Sequence, residues 1–209
     1  ATSDGTANVG TPTNAVEAAI NDLDGFSTTA YFDIGFAGGS IDAGTVCALG
    51  SPCVPNVFLI PLNSNGDALD PANIDLMSPV NSADIPGFTA SVESLDGGTD
   101  NVLRVTPSEP LLAKTKYLVF VTNGTLDTNG SPITPSSAYQ TLGENEPALT
   151  AALQPVRTAV QGWEAIASGF LANVLGLDPL DARDSVVISY TFTPTDPVTP
   201  LVAMGAPRG

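Results

Sequence analysis

The stretch VLRVTPSEPLLAKTKYLVFVT, residues 102–122, decides the fold of this chain. It contains two apolar runs of strand length, residues 102–105 and 116–122, separated by a loop with two prolines. The second run is apolar on both faces, which is typical of a strand that is covered from two sides. We therefore predict that residues 116–122 form a central strand of a β-sheet.

Outward from this stretch, other segments show the patterns of further strands. Residues 32–36, 88–92 and 186–192 have the period of two that indicates half-buried strands, and residues 57–62 form a short apolar run. Turns rich in Asn, Asp and Gly follow at 63–66, 96–101, 123–124 and 129–130. Short strands joined by such turns predict an antiparallel sandwich.

A helical period replaces the strand pattern after Pro147. Apolar side chains recur there in steps of three and four, which predicts a helix with one apolar stripe. The stripe consists of Val156, Val160, Trp163, Ala167, Phe170 and Val174. Pro155 is expected near the helix start and Gly176 at its end, and Asp178 caps a second short helix. We expect the stripe to pack on the sandwich or on another domain; the alternative is a lipid-binding helix, which normally has a basic polar face.

The fold prediction is therefore a mainly β chain: an antiparallel β-sandwich with a helical insertion before its last strand. Residues 1–25 are predicted as an N-terminal segment with a short helix, which Asn14 and Glu17 would cap. Residues 26–143 form the sandwich, 144–184 the insertion and 185–193 the final strand. Residues 194–209 are predicted as a Pro-rich linker towards a further domain that lies outside this sequence.

The composition excludes several functions. The 209 residues include no histidine, so a Ser-His-Asp hydrolase or a His-ligated zinc site is not complete here. The formal net charge of −16 disfavours nucleic acid as a partner, and no apolar run is long enough to span a bilayer. Glycosidase and aspartic-protease chemistry are also disfavoured, the latter because its Asp-Thr-Gly or Asp-Ser-Gly motif is missing. We expect no catalytic residue, cofactor or metal in this chain.

The two cysteines, Cys47 and Cys53, are six positions apart, with Gly50 and Pro52 between them. This spacing allows a disulfide that closes a small surface loop, which would indicate an oxidising compartment. The alternative is a pair of reduced thiols in the cytosol.

Calcium is the only metal for which the composition supplies enough ligands, because oxygen donors are abundant. The candidates are Asp96, Asp100 and Asn101 in one turn and Asp127 and Asn129 in another. Neither segment has the pattern of an EF-hand loop. We predict plain turns, because Asp and Asn side chains also cap their own backbone.

The segment 102–121, followed by Leu126–Gly130, resembles bacterial Ig-like domains. Those domains have a strand, a Pro-containing loop, a Leu-x-x-x-Thr-x-Tyr sequence, a second strand and Asp-x-x-Gly. The resemblance implies that the predicted sandwich is Ig-like, and that Tyr117 forms a hydrogen bond with the backbone of the loop before it and fixes that corner.

Four further segments resemble the N-terminal region of a bacterial extracellular lipase family, the virulence-factor lipases. They are residues 23–30 (LDGFSTTA), 56–62 (NVFLIPL), 162–165 (GWEA) and 189–193 (SYTFT). The resemblance covers nearly the whole chain, from about residue 4 to 208. In that family an exported α/β-hydrolase domain with a serine nucleophile follows this region. The chain itself has no Gly-x-Ser-x-Gly motif, so no catalytic residue carries over.

The resemblance thus implies a non-catalytic accessory domain of a secreted or cell-surface bacterial lipase or esterase, with the downstream α/β-hydrolase domain as its partner. The alternative is an Ig-like module of a bacterial surface protein that binds glycans or proteins, which an exposed aromatic cluster would favour. A self-contained enzyme is the third reading, and the missing histidine counts against it.

Overall fold

The computed structural model describes residues 26–63, 78–79, 84–144, 148–151 and 153–196. Its strands are β1 (Phe32–Gly35), β2 (Val57–Asn63), β3 (Ser78–Pro79), β4 (Phe88–Glu93), β5 (Val102–Pro107), β6 (Tyr117–Thr122) and β7 (Val186–Phe192). The helices α1 (Ser137–Gly143), α2 (Gln154–Leu175) and α3 (Pro179–Ser185) lie between β6 and β7. The chain is thus mainly β, and its helical insertion precedes the last strand, as the sequence predicts.

The strands pair into two antiparallel sheets. One sheet has the order β1-β5-β4, and the other has the order β3-β2-β6-β7. Val105 of β5 lies opposite Phe32 of β1 and opposite Ala90 of β4. In the second sheet β6 pairs with β2 on one side and with β7 on the other. The predicted central position of residues 116–122 is confirmed.

The first hydrophobic core lies between the two sheets. Every second side chain of β2 and β6 points into this core, because successive residues of a strand point to opposite faces. Its strand residues are Ile34, Val57, Leu59, Phe88, Leu103, Val105, Tyr117, Val119 and Val121. Because the outer side chains of β4, Thr89 and Ser91, are exposed, the first sheet has only one buried face.

The second core lies on the opposite face of the β3-β2-β6-β7 sheet, beneath the helices. It contains the remaining side chains of β2 and β6 together with residues of α2 and α3. Its members are Phe58, Ile60, Leu62, Leu118, Phe120, Ala167, Phe170, Leu171 and Ala182. The molecule therefore has three layers, and the apolar stripe of α2 packs on the sandwich itself.

The ends of the predicted stripe differ from its middle. Val160, Ala167 and Phe170 are buried, whereas Val156 and Val174 are 42% and 47% exposed. At 22 residues α2 is about 33 Å long, while a seven-residue strand is about 24 Å long. Because the helix is longer than the strands beneath it, its first and last turns extend beyond the apolar surface that covers its middle.

The ends of α2 and α3 follow the capping signals in the sequence. Pro155 lies in the first turn of α2, and Gly176 ends that helix with a left-handed φ of 67°. The Asp178 carboxylate accepts a hydrogen bond from the amide of Leu180 at the start of α3.

The boundary predicted at residue 144 is too late, because α1 already begins at Ser137. The Ser136 hydroxyl caps α1 by accepting a hydrogen bond from the Tyr139 amide. The final strand, predicted at 185–193, occupies residues 186–192. The predicted N-terminal helix at 1–25 lies outside the described residues, as does the linker beyond residue 196. Among the described helices, none combines the length and hydropathy needed to cross a membrane.

The start of β6 has the corner that the Ig-like resemblance implies. Tyr117 is 1% exposed, and its hydroxyl accepts a hydrogen bond from the Leu112 amide at 3.0 Å. The predicted hydrogen bond between Tyr117 and the loop backbone is confirmed. Burial raises the pKa of the Tyr117 phenol, which stays neutral.

Candidate functional site

An aromatic pocket lies where the segment before β1 meets the end of β7. It has a volume of about 170 Å³ and mostly apolar walls. Its lining residues are Phe26, Ser27, Ala30, Tyr31, Phe32, Tyr190, Thr191 and Phe192. Phe26 and Tyr31 are 54% and 53% exposed, so aromatic surface remains open to solvent at its rim.

The rings around this pocket, which we call the Phe26 pocket, contact one another mostly by their edges. Phe26 meets Phe192 at a centroid distance of 5.9 Å and an interplanar angle of 82°, and Phe32 meets Tyr190 at 6.3 Å and 84°. Phe192 also stacks on the buried Tyr117 at 5.8 Å. These edge-to-face contacts are favourable ring geometries and hold the walls in place.

Backbone hydrogen bonds hold the segment of the Phe26 pocket that precedes β1. The Phe26 amide donates to Thr193, and the Phe26 carbonyl accepts from Thr195. The Ser27 hydroxyl oxygen accepts hydrogen bonds from the amides of Thr29 and Ala30. Backbone hydrogen bonds therefore fix the pocket both at the segment before β1 and at the end of β7.

The charges beside the Phe26 pocket are paired with each other. Nε and Nη2 of Arg104 each donate to a different carboxylate oxygen of Asp33, both at 2.8 Å. This hydrogen bonding lowers the pKa of Asp33. The Arg104 guanidinium also lies 3.8 Å from the centre of the Tyr31 ring. Tyr190 is neutral, because burial raises the pKa of its phenol well above the usual range.

The structure joins Cys47 and Cys53 in a disulfide. Within this loop region the Asn56 side chain accepts from the Cys47 amide at 2.8 Å and donates to the Thr45 carbonyl at 2.7 Å. The loop forms one wall of a wide depression of about 950 Å³, and the end of α2 contributes another wall. Val54, in this depression, is 78% exposed.

A polar cluster connects both α1 and α2 to β7. The Tyr139 hydroxyl lies 3.0 Å from Oε1 of Glu164 and 2.9 Å from the Ser189 hydroxyl, and it accepts from the Ser189 amide at 2.8 Å. Burial raises the pKa of Tyr139 well above its usual range and also raises the pKa of Glu164. Ser189 is fully buried, so a substrate cannot reach its hydroxyl. The cluster therefore joins the layers rather than forming a nucleophile site.

The Asp- and Asn-rich turns bind their own backbone, as predicted. The Asn101 side chain accepts from the Leu95 amide, and the Asp127 carboxylate accepts from the amides of Asn129 and Ser131. The hydrogen bond from Ser131 is the main reason that the pKa of Asp127 is lowered.

The candidate calcium ligands are divided between two turns, residues 96–101 and 127–130. Asp96 and Asp100 both have left-handed φ angles, which short Asp side chains tolerate in turns. Within the described part of the chain, no three Cys, Asp or Glu side chains converge as a metal site would require.

The Phe26 pocket was not among the sites predicted from the sequence. The sequence does contain a signal for it: the aromatic pair Tyr31 and Phe32 lies in one predicted strand, and the pair Tyr190 and Phe192 lies in another. Those strands belong to different sheets, and their patterns do not show which of their ends meet. In comparisons with known proteins, no family model and no curated protein matches this chain.

Proposed function

We propose that this chain is a non-catalytic N-terminal accessory domain of a secreted or cell-surface bacterial lipase or esterase. Its partner is an α/β-hydrolase domain that follows in the same polypeptide. The observation that carries the non-catalytic role is the buried Ser189 cluster in a chain without histidine. The Ser189 hydroxyl contacts the Tyr139 phenol, which in turn contacts the Glu164 carboxylate, but Ser189 is fully buried.

The strand order supports the Ig-like part of this proposal. An Ig sandwich has strands B, E and D in one sheet and C, F and G in the other. The order β1-β5-β4 corresponds to B-E-D, and the order β2-β6-β7 corresponds to C-F-G. Tyr117 begins β6, the equivalent of strand F, where the tyrosine of an Ig corner stands. Because one fold serves many functions, this order supports the architecture and not the activity.

The disulfide supports the proposed location. Disulfides persist in oxidising environments such as the cell surface and the extracellular medium. The chain also has only six Lys and Arg residues against 22 Asp and Glu residues. An acidic surface of this kind suits a protein that stays soluble outside the cell.

The first experiment compares ester hydrolysis by this 209-residue chain and by the complete product of its gene, with short- and long-chain p-nitrophenyl esters. We expect the chain to be inactive and the complete product to be active. Hydrolysis that stays with the purified chain contradicts the non-catalytic role. An inactive complete product contradicts the assignment to an ester hydrolase.

The second candidate is an Ig-like module of a bacterial surface protein that binds glycans or proteins. The rings of Phe26 and Tyr31 favour it, because they are exposed at the rim of the Phe26 pocket, outside its apolar interior. Binding to a glycan panel by the wild-type chain, lost on substitution of Phe26 by alanine, would support this candidate over the first.

A further inference from the structure

We propose that the Phe26 pocket binds an uncharged hydrocarbon group of about six carbons that carries one oxygen at the pocket rim. This inference rests on the pocket alone. It holds whether or not the chain belongs to an ester hydrolase.

The volume of the pocket sets the size of the ligand. A dry cavity of roughly 150 Å³ lined by apolar side chains accepts one benzene molecule. The Phe26 pocket, at about 170 Å³, has room for one six-membered ring or an alkyl chain of similar size. A larger ligand would extend past Phe26 and Tyr31 into solvent.

The pocket walls set the polarity of the ligand. Phe26, Phe32, Tyr190 and Phe192 present ring carbons, so a sugar hydroxyl placed deep inside would lose its water without gaining a partner. Such an unsatisfied polar group is costly to bury. The walls therefore favour a hydrocarbon group over a pyranose of the same ring size.

The neighbouring charges favour a neutral ligand. Asp33 and Arg104 form a two-point ion pair, so neither presents an unbalanced charge to the pocket. Arg104 lies against the Tyr31 ring and partly offsets the attraction that this ring exerts on a cation.

Ser27 accounts for the single oxygen. Its hydroxyl oxygen already accepts two amide hydrogen bonds, so its remaining capacity is to donate its proton. An acceptor oxygen on the ligand, at the rim beside Ser27, satisfies that donor. Because backbone hydrogen bonds already fix the pocket walls, ligand binding requires little reorganisation of the protein, which favours affinity.

The test is an NMR titration of the intact isotope-labelled chain with cyclohexanol. Burial of about six carbons corresponds to a Kd on the order of 1 mM. We expect shifts confined to residues 26–32 and 190–192. Shifts centred on the disulfide loop or on α2, or no saturable shift, overturn the proposal.

Two further probes of the same ring size test the chemistry. Methyl β-glucoside has a ring oxygen, three ring hydroxyls and a hydroxymethyl group, and cyclohexylammonium has a positive charge in place of the hydroxyl of cyclohexanol. Both are expected to bind at least about tenfold more weakly than cyclohexanol, because hydroxyl groups and a charge lose hydration in apolar walls. Tighter binding of the glucoside points to a glycan site, tighter binding of the cation to a cation cage, and either result overturns the proposal.

Three variants locate the site. Ala30→Trp fills the pocket and is expected to abolish binding. Phe26→Ala removes a half-exposed wall and is expected to weaken binding about fivefold. Val54→Ala removes an exposed apolar side chain in the other depression and is expected to leave the Kd unchanged. Equal affinity of all three variants, each with the wild-type circular dichroism spectrum, overturns the assignment.

Discussion

The two sheets of the sandwich differ in how many of their faces are buried. In the β1-β5-β4 sheet, apolar side chains face the inter-sheet core, and Thr89 and Ser91 face solvent. In the other sheet, all six residues of β6 are buried, because the helices cover its second face. The comparison of β4 with β6 teaches that strand patterning can report the number of covering layers: β4 alternates and is covered on one face, whereas β6 is a continuous apolar run and is covered on both.

The largest expected effect comes from substitution in the helix-covered core. Phe120 stacks on Phe58 at a centroid distance of 4.3 Å and meets Phe170 edge-on at 6.2 Å. We expect Phe120→Ala to lower the free energy of unfolding by about 3–5 kcal/mol, because it leaves a cavity in a close-packed site. Urea unfolding measures this loss.

A matched substitution in the other core sharpens the comparison. Leu103 is fully buried between the sheets, and Leu103→Ala is expected to cost about 2–5 kcal/mol. Hydrogen exchange separates the two variants: α2 amides should lose more protection in Phe120→Ala than in Leu103→Ala at equal global stability. Equal loss in both would mean that the helical layer and the sandwich open as one unit.

The next effect concerns the disulfide loop, which lies at the edge of the sandwich. Replacement of both Cys47 and Cys53 by alanine is expected to lower the free energy of unfolding by about 2 kcal/mol, since the closed loop is short. Urea unfolding of the double variant should match that of the reduced wild type. If the double variant is as stable as the oxidised wild type, the Asn56 hydrogen bonds alone hold this loop.

A smaller effect tests the corner at β6. Tyr117→Phe removes the acceptor for the Leu112 amide and is expected to cost about 1 kcal/mol. Tyr31→Phe is the matched control: its ring is 53% exposed, and a change within about 0.5 kcal/mol is expected. A Tyr117→Phe variant as stable as the wild type would show that the corner is held without this hydrogen bond.

The smallest effect is the pH dependence that Glu164 introduces at the helix–sheet boundary. Burial raises the pKa of Glu164 in the folded state, so the folded state binds this proton more tightly than the unfolded chain. The resulting stabilisation is complete below the unfolded pKa and is lost as the pH rises through the folded one. The Tyr139 hydrogen bond and the charge of Arg183 act in the opposite direction and limit the effect.

Glu164→Gln isolates this contribution, because glutamine still accepts from Tyr139 and does not titrate. Chemical unfolding between pH 4 and pH 7 should show that the variant loses less stability than the wild type as the pH rises. Parallel curves for the two proteins would contradict a raised pKa.

Sequence patterns predicted the long helix and every described strand except the two-residue β3, because periodicity over many residues reports burial directly. They missed α1, a seven-residue helix with no buried residue of its own and no apolar stripe. Its stability comes from contacts distant in sequence: Tyr139 reaches Glu164 and Ser189, and the Thr141 carbonyl accepts from Arg157. Local propensity does not contain such information.

The candidate site divides in the same way. The turn residues Asp127 and Asn101 were predicted because their partners lie a few positions away. The Phe26 pocket depends on a pairing between segments at opposite ends of the described fold, Phe26 with Thr193 and Thr195. A one-dimensional pattern specifies the character of each segment but not which distant segment it meets.

The pairing of Phe26 with the chain just after β7 has a topological consequence. The N-terminal and C-terminal ends of the described fold lie next to each other, because Phe26 forms a β-bridge with Pro194. The bridge is parallel, so chains attached to the two ends run away from it in opposite directions, but the ends are close enough for this unit to be inserted in a surface loop of another protein. A circular permutant in which a short linker joins these two ends, and in which the new termini lie at the exposed turn near Gly97, should retain the sandwich.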